Sequence, residues 1–197
     1  MQVTLVDHTE NPEEKIANAA AICYGAATTP ECNAARIERL LLLGHLSPLR
    51  FAYATFHVTG ISRVESHQHV RVAHAGILQQ SQRYQEVISP VIRPPMFRRM
   101  SRETASVVDA AEALSKQAYQ LLLQDGVHKE DARYILPEGI GTELVMTGNF
   151  QMWVDWLKNR TSPHAQWEIR AVALEIKRLL YGIAPTIFAD YKSFTHD

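Results

Sequence analysis

Cysteine is nearly missing: Cys23 and Cys32 are the two in 197 residues, and their spacing is not CxxC. That excludes a disulfide-stapled scaffold and predicts a reducing cytoplasmic setting, with helix packing as the expected role of both thiols. Long apolar runs are missing too. The longest unbroken one covers the six residues 19–24, and the all-leucine run 40–43 is shorter still; both fall far short of the roughly 18 residues of a spanning helix, so no membrane segment is expected. Residues 1–7 have neither the basic nor the apolar region of a secretory leader. Charge of one sign is not in surplus: Lys and Arg total 20 against 21 Asp and Glu, a formal net charge of −1. Whole-surface attraction to nucleic acid is thereby excluded, although a local cluster of arginines is not. Repeats, low-complexity segments and Gly/Ser-rich linkers are absent, and 46% of residues are hydrophobic. One core, hence a single domain over residues 1–197, is the expectation.

What is present reads mainly as helix. Residues 3–7 alternate weakly, as a first strand would. Asn11-Pro12-Glu13-Glu14 combines a capping residue, a proline suited to the first helical position and acids suited to the positive end; this helix should reach Tyr24 and stop at Gly25. A second, with Ile37, Leu40 and Leu41 on one stripe, should end near Gly44. Residues 50–58 alternate as a strand. Ser62-Arg63-Val64-Glu65 has capping-box form and predicts a helix to about Arg71. Residues 79–88 are expected to be extended. Amphipathic helices are predicted over 101–125, 129–135 and 149–159, with a last one opened by Ser162-Pro163 and running to Gly182. The fold class is α+β, helix-rich around a central antiparallel or mixed sheet.

Familiar catalytic patterns are absent. There is no HExxH, GxSxG, P-loop or GxGxxG. His67 and His74 fall on one helical face but His69 does not, so three converging metal ligands are not supplied and no metal site is expected. Cys23 sits at the negative end of its helix, which disfavours a thiolate. More informative is Gln79-Gln80-Ser81-Gln82-Arg83-Tyr84. On an extended segment Ser81 and Arg83 share a side, and a hydroxyl beside a planar guanidinium can grip a phosphate; a solvated strand face with a surface arginine is the competing reading. Arg133 and Arg160 each lie in apolar surroundings, where an arginine either snorkels to water or serves an anionic or carbonyl-rich ligand.

Together the motifs resemble one family. Gly44-His45-x-Ser47-Pro48, Thr55-Phe56-His57-Val58, Gly60-Ile61-Ser62-Arg63, Ser66-His67-Gln68, Val70-Arg71, Gln79 to Tyr84, Ala132-Arg133-x-Ile135-Leu136-Pro137, Leu157-x-x-Arg160 and His164-Ala165-Gln166-Trp167-Glu168-Ile169-Arg170 are similar, in order, to the flavin-dependent thymidylate synthases. The resemblance implies a homotetramer whose active sites are shared between subunits. It implies reductive methylation at C5 of a uridine 5′-monophosphate, with methylenetetrahydrofolate as donor, FAD as cofactor and NADPH as reductant. Residues matching the nucleotide side are Gln68, His69, Val70, Arg71, Gln79, Gln80, Ser81, Gln82, Arg83, Arg133 and Arg160; Arg160 would be catalytic, stabilising negative charge on the uracil. Those matching the flavin side are His45, Ser47, Arg71, Val72, Ala73, Gln79, Asn149, Gln151 and Asp155.

The departures fall on the flavin side. The family's Arg-His-Arg is Arg71-Val72-Ala73 here, its Asn-x-Arg is Asn149-Phe150-Gln151, a flavin-contacting Asn is Asp155, and Arg50-Phe51 stands where many members have Glu-His. Hence two further expectations: a pyrimidine nucleotide hydroxymethylase, or a uridine-nucleotide-binding paralogue without catalysis. His74 and Arg50 are the residues placed to replace the missing flavin-side charge.

Overall fold

A computed structural model describes residues 1–23, 25, 29–87 and 89–189. The chain runs β1 (Gln2–His8), α1 (Pro12–Ile22), α2 (Pro30–Leu42), a 3₁₀ turn (Ser47–Phe51), β2 (Tyr53–Ser62), α3 (Arg63–His69) and β3 (Gly76–Gln79). A 3₁₀ turn (Pro95–Arg99), α4 (Arg102–Gln124), α5 (Lys129–Ala132) and a 3₁₀ turn (Arg133–Ile135) follow. The chain then forms β4 (Gly141–Asn149), α6 (Phe150–Arg160), α7 (Trp167–Ile183) and α8 (Pro185–Phe188). The strands make one antiparallel sheet in the order β1-β2-β4-β3.

The alternation in residues 50–58 decides which face is dry. Ala54, Phe56 and Val58 of β2 and Leu144 and Met146 of β4 are buried. Against them α6 presents Trp153, whose ring meets Phe56 edge-on at 5.0 Å and Trp156 at 5.6 Å. Burying an indole strands its N–H unless a partner is found; Trp153 Nε1 donates to the Ala54 carbonyl at 3.1 Å. α7 completes this layer with Ile169, Val172, Ile176 and Leu180. The opposite face is polar and half-open: Thr55 and Thr147 hydroxyls are hydrogen-bonded at 2.7 Å, and His57 faces Glu143 at 2.9 Å.

Several expectations are corrected. Asn11 does not cap α1 with its side chain; it adopts the left-handed conformation, φ 46°, which asparagine tolerates better than most residues. α1 ends at Ile22, and Tyr24 lies outside the described residues. The strand expected over 50–58 begins three residues later, because residues 47–51 form a 3₁₀ turn. Residues 79–88 are not one extended run: β3 ends at Gln79, and Ser81 to Gln85 turn, with Gln85 N–H donating to the Ser81 carbonyl; Ile88 lies outside the described residues. The last long helix starts at Trp167 rather than Ser162, because the Gln166 side chain accepts from the N–H groups of Glu168 and Ile169 and caps it there. Both cysteines are exposed, so neither packs a helix. No helix among the described residues is long and apolar enough to cross a membrane.

Candidate active site

The site is organised by α3 and α6, which lie on the same dry sheet face. Ser62 caps α3, accepting from Glu65 N–H at 3.0 Å. The reciprocal half of the expected capping box is made from elsewhere: the Glu168 carboxylate of α7 accepts from the Ser62 N–H at 2.7 Å and its hydroxyl at 2.6 Å. A buried carboxylate is satisfied, and α3 is pinned to α7. Glu65 is thereby free to turn inward to His69. The two are fully buried, with Nδ1 of His69 2.6 Å from Glu65 Oε1. The approach is poorly directed for a hydrogen bond, and among the described residues both Glu65 oxygens and both His69 nitrogens lack one. Burial holds the Glu65 carboxyl above its ordinary range; His69 and, more weakly, Arg160 oppose that rise, while Glu168 adds to it. The His69 ring rests 5.1 Å from that of Trp156. His69, expected among the nucleotide-binding residues, therefore faces the core rather than a cavity.

Above this dyad is a cavity of about 680 Å³. Its walls include Gln68 and Arg71 at the end of α3, Val72 and Ala73 just beyond, and Asp155, Asn159 and Arg160 on α6. Arg160 is half-buried, and its Nη2 donates to the Gln68 carbonyl at 3.1 Å. That bond fixes a cation in the cavity wall.

A second cavity, about 320 Å³, adjoins the first along Val72, Ala73 and Asp155. Arg50, His74, Asn149 and Gln151 complete its lining with Met152. His74 holds a left-handed backbone, φ 65°. Asn149 caps α6, its Oδ1 accepting from Met152 N–H at 2.9 Å. Arg50 Nε donates to Gln151 Oε1 at 2.6 Å. Asp155, on the exposed rim of this cavity, has its carboxyl pushed up by desolvation, against the opposing pull of Lys158 and Arg50. Asn149, Gln151, Asp155, Val72, Ala73 and Arg71 are thus brought together; His45 and Ser47 lie exposed ahead of the Arg50 turn and do not line this cavity.

The remaining arginines gather elsewhere, around α5. Arg83 Nε donates to Glu130 Oε2 at 2.7 Å, and Arg133 Nε to the Glu130 carbonyl at 2.9 Å. Ser81 is tied into its own turn, accepting from Arg83 N–H at 3.2 Å. Arg83 and Glu130 are both largely exposed, while Gln82 is half-buried in the turn. Arg63 was legible in the motif but not singled out. One of its guanidinium nitrogens is buried with no hydrogen-bond partner among the described residues, and burial followed by repulsion from Arg133 lowers its pKa. An unsatisfied donor beside a second guanidinium is an arrangement that an anion would satisfy. Gln79 is committed to structure, its amide donating to Ser66 and Thr142 hydroxyls at 2.8 and 3.3 Å; Gln80 pairs with Glu143, and Val70 is half-exposed at the end of α3. No group of three or more His, Cys, Asp or Glu able to hold a metal occurs among the described residues.

An antiparallel α+β domain with an arginine-walled double cavity, and a second group of arginines around α5, has the fixed cations of a class of proteins that hold anionic small molecules. The comparisons narrow that class. Residues 4–186 match the model of the family described as thymidylate synthase complementing protein. The chain is 37% identical to a flavin-dependent thymidylate synthase of Geobacter sulfurreducens over 96% of this chain and 86% of that one. Identity is 33% to the enzyme of that name from Sulfurisphaera tokodaii (95% and 76% covered) and 32% to that from Mycobacterium tuberculosis (90% and 78%). The chain belongs to the flavin-dependent thymidylate synthase family of methyltransferase-type enzymes.

Proposed function

We propose that the protein reductively methylates C5 of a uridine 5′-monophosphate (dUMP, UMP or both) in the cytoplasm, with methylenetetrahydrofolate as one-carbon donor, NADPH as reductant and FAD as the flavin. The observation that carries this reading is Arg160, anchored to the Gln68 carbonyl beside Arg71 in one cavity wall. Carbon 5 of a uracil attacks an electrophilic one-carbon unit only when the ring is electron-rich. A fixed guanidinium at the base stabilises negative charge as N3 gives up its proton, and does so without reorganising during the reaction. The adjoining cavity suits the flavin: the side-chain oxygens of Asn149 and Gln151 already accept hydrogen bonds, so Arg50 and the two amide NH₂ groups present donors, against an apolar wall of Val72 and Ala73. Arg50, Asn149 and Gln151 with Val72 and Ala73 would hold the FAD, which would supply the hydride chemistry beside the base with NADPH as the reductant.

Arg83 and Arg133, with Ser81 and Gln82, take the nucleotide phosphate, joined by Arg63. Because they stand apart from the Arg160 cavity within one chain, we assign them to the site of a neighbouring subunit in a homotetramer. Exposed apolar side chains supply surface for such contacts: Val107, Leu114 and Leu121 on α4, and Leu78 and Val145 on the open sheet face. The test is anaerobic incubation with FAD, NADPH, methylenetetrahydrofolate and either dUMP or UMP, read by mass spectrometry. A 5-methyl nucleotide is expected; no methylated product from either nucleotide contradicts the reading.

A further inference from the structure

Within the smaller cavity the positive charge comes from an unusual place. Arg50 ends the 3₁₀ turn Ser47–Phe51, and α6 contributes no cation to this lining: its residues there are Gln151, Met152 and Asp155. Gln151 holds Arg50 from the side, taking its Nε–H at 2.6 Å. That geometry fixes the plane of the guanidinium and leaves its four terminal N–H donors uncommitted, since no carboxylate lies within salt-bridge distance among the described residues. Asp155, the one carboxylate of the cavity, interacts with Arg50 only through space and is pushed up by burial rather than down by pairing. An arginine clamped edge-on with its fork free is the arrangement that grips a phosphate bidentately.

We propose that Arg50, positioned by Gln151, is the phosphate anchor for the flavin dinucleotide in this chain, taking over the charge that its family relatives are expected to carry at position 151. The inference rests on the flavin reading of this cavity. It links the departures at positions 50 and 151, since the arginine of this cavity stands at 50 and the amide at 151 holds it. The contact is to the phosphates, so flavin without phosphate does not depend on Arg50.

The experiment is titration of the intact protein with FAD and with riboflavin, followed by quenching of flavin fluorescence, with circular dichroism melting as the folding control. Arg50→Ala should weaken FAD binding about ten- to a hundredfold, the range for losing a charged hydrogen bond, while leaving riboflavin binding within about twofold. Arg50→Glu should weaken FAD further. Adding Gln151→Arg to Arg50→Glu should recover binding to within about tenfold of wild type, because a carboxylate would then hold a guanidinium from the opposite side. FAD affinity unchanged in Arg50→Ala, or equal losses for FAD and riboflavin, overturns the proposal while leaving the flavin reading intact. Wild-type protein that binds neither ligand overturns both.

Discussion

The two groups of arginines differ in how they are held. Arg160 grows from the same face of α6 that buries Trp153 and Trp156, one turn beyond the latter, and it is tied to the backbone of α3, itself pinned through Ser62 to Glu168 of α7. It is anchored at the core's edge and has no counter-ion within salt-bridge distance among the described residues. Arg83 lies on an exposed turn and is already paired with Glu130, while Arg133 is tied to the backbone carbonyl of Glu130 in the short helix α5. The first arrangement is preorganised for charge that appears during a reaction; the second is suited to exchanging one anion for another. Catalysis and substrate capture are thereby assigned to parts of different rigidity.

Breaking the rigid half should have the largest effect. Arg160→Ala is expected to lower kcat by about 10²–10³-fold, the cost of removing one preorganised donor, with little change in melting temperature. Unchanged turnover would place that residue outside the chemistry. In the exposed half, Arg83→Ala should raise KM for the nucleotide about tenfold or more and leave kcat within a few-fold. Glu130→Gln sharpens the contrast, since freeing Arg83 from its internal partner should lower KM by a few-fold rather than raise it; a rise would show that Glu130 positions Arg83 instead of competing for it.

A smaller effect is expected from the dyad beneath Arg160. Because burial raises the Glu65 carboxyl, the folded chain keeps a proton that the unfolded chain has released in the window from the ordinary carboxylate range up to that raised value. Stability should therefore fall as pH rises through the window, and Glu65→Gln should flatten the profile. Melting temperatures measured against pH for both proteins check this; parallel curves would contradict it.

How much of this was legible follows from where the signals lie. The strict alternation of β2, the apolar stripes of α6 and α7 and the cap at Ser62 are local patterns, and they were read. The central strand β4 was missed although Leu144 and Met146 alternate with Glu143, Val145 and Thr147, because glycine and threonine dilute the pattern at both ends. The site's residue types were visible in the motifs. Their grouping was not, since it depends on β3 stopping at Gln79 and on Glu130, four residues beyond a glycine turn, reaching back to Arg83. Likewise the inward turn of Glu65 to His69 goes with Glu168, 106 positions beyond Ser62 in sequence, taking the Ser62 N–H.

The central claim is that these two halves complete one active site across a subunit boundary. Its most direct test takes the two impaired variants, Arg160→Ala and Arg83→Ala, unfolded together and refolded as mixed oligomers, and reads turnover at nucleotide concentrations well below KM, where each alone is at least about tenfold down. If the halves come from different subunits, random pairing in a symmetric assembly regenerates intact sites, and activity should return to as much as about a quarter of wild type. Activity no greater than the average of the two variants refolded alone would contradict the account.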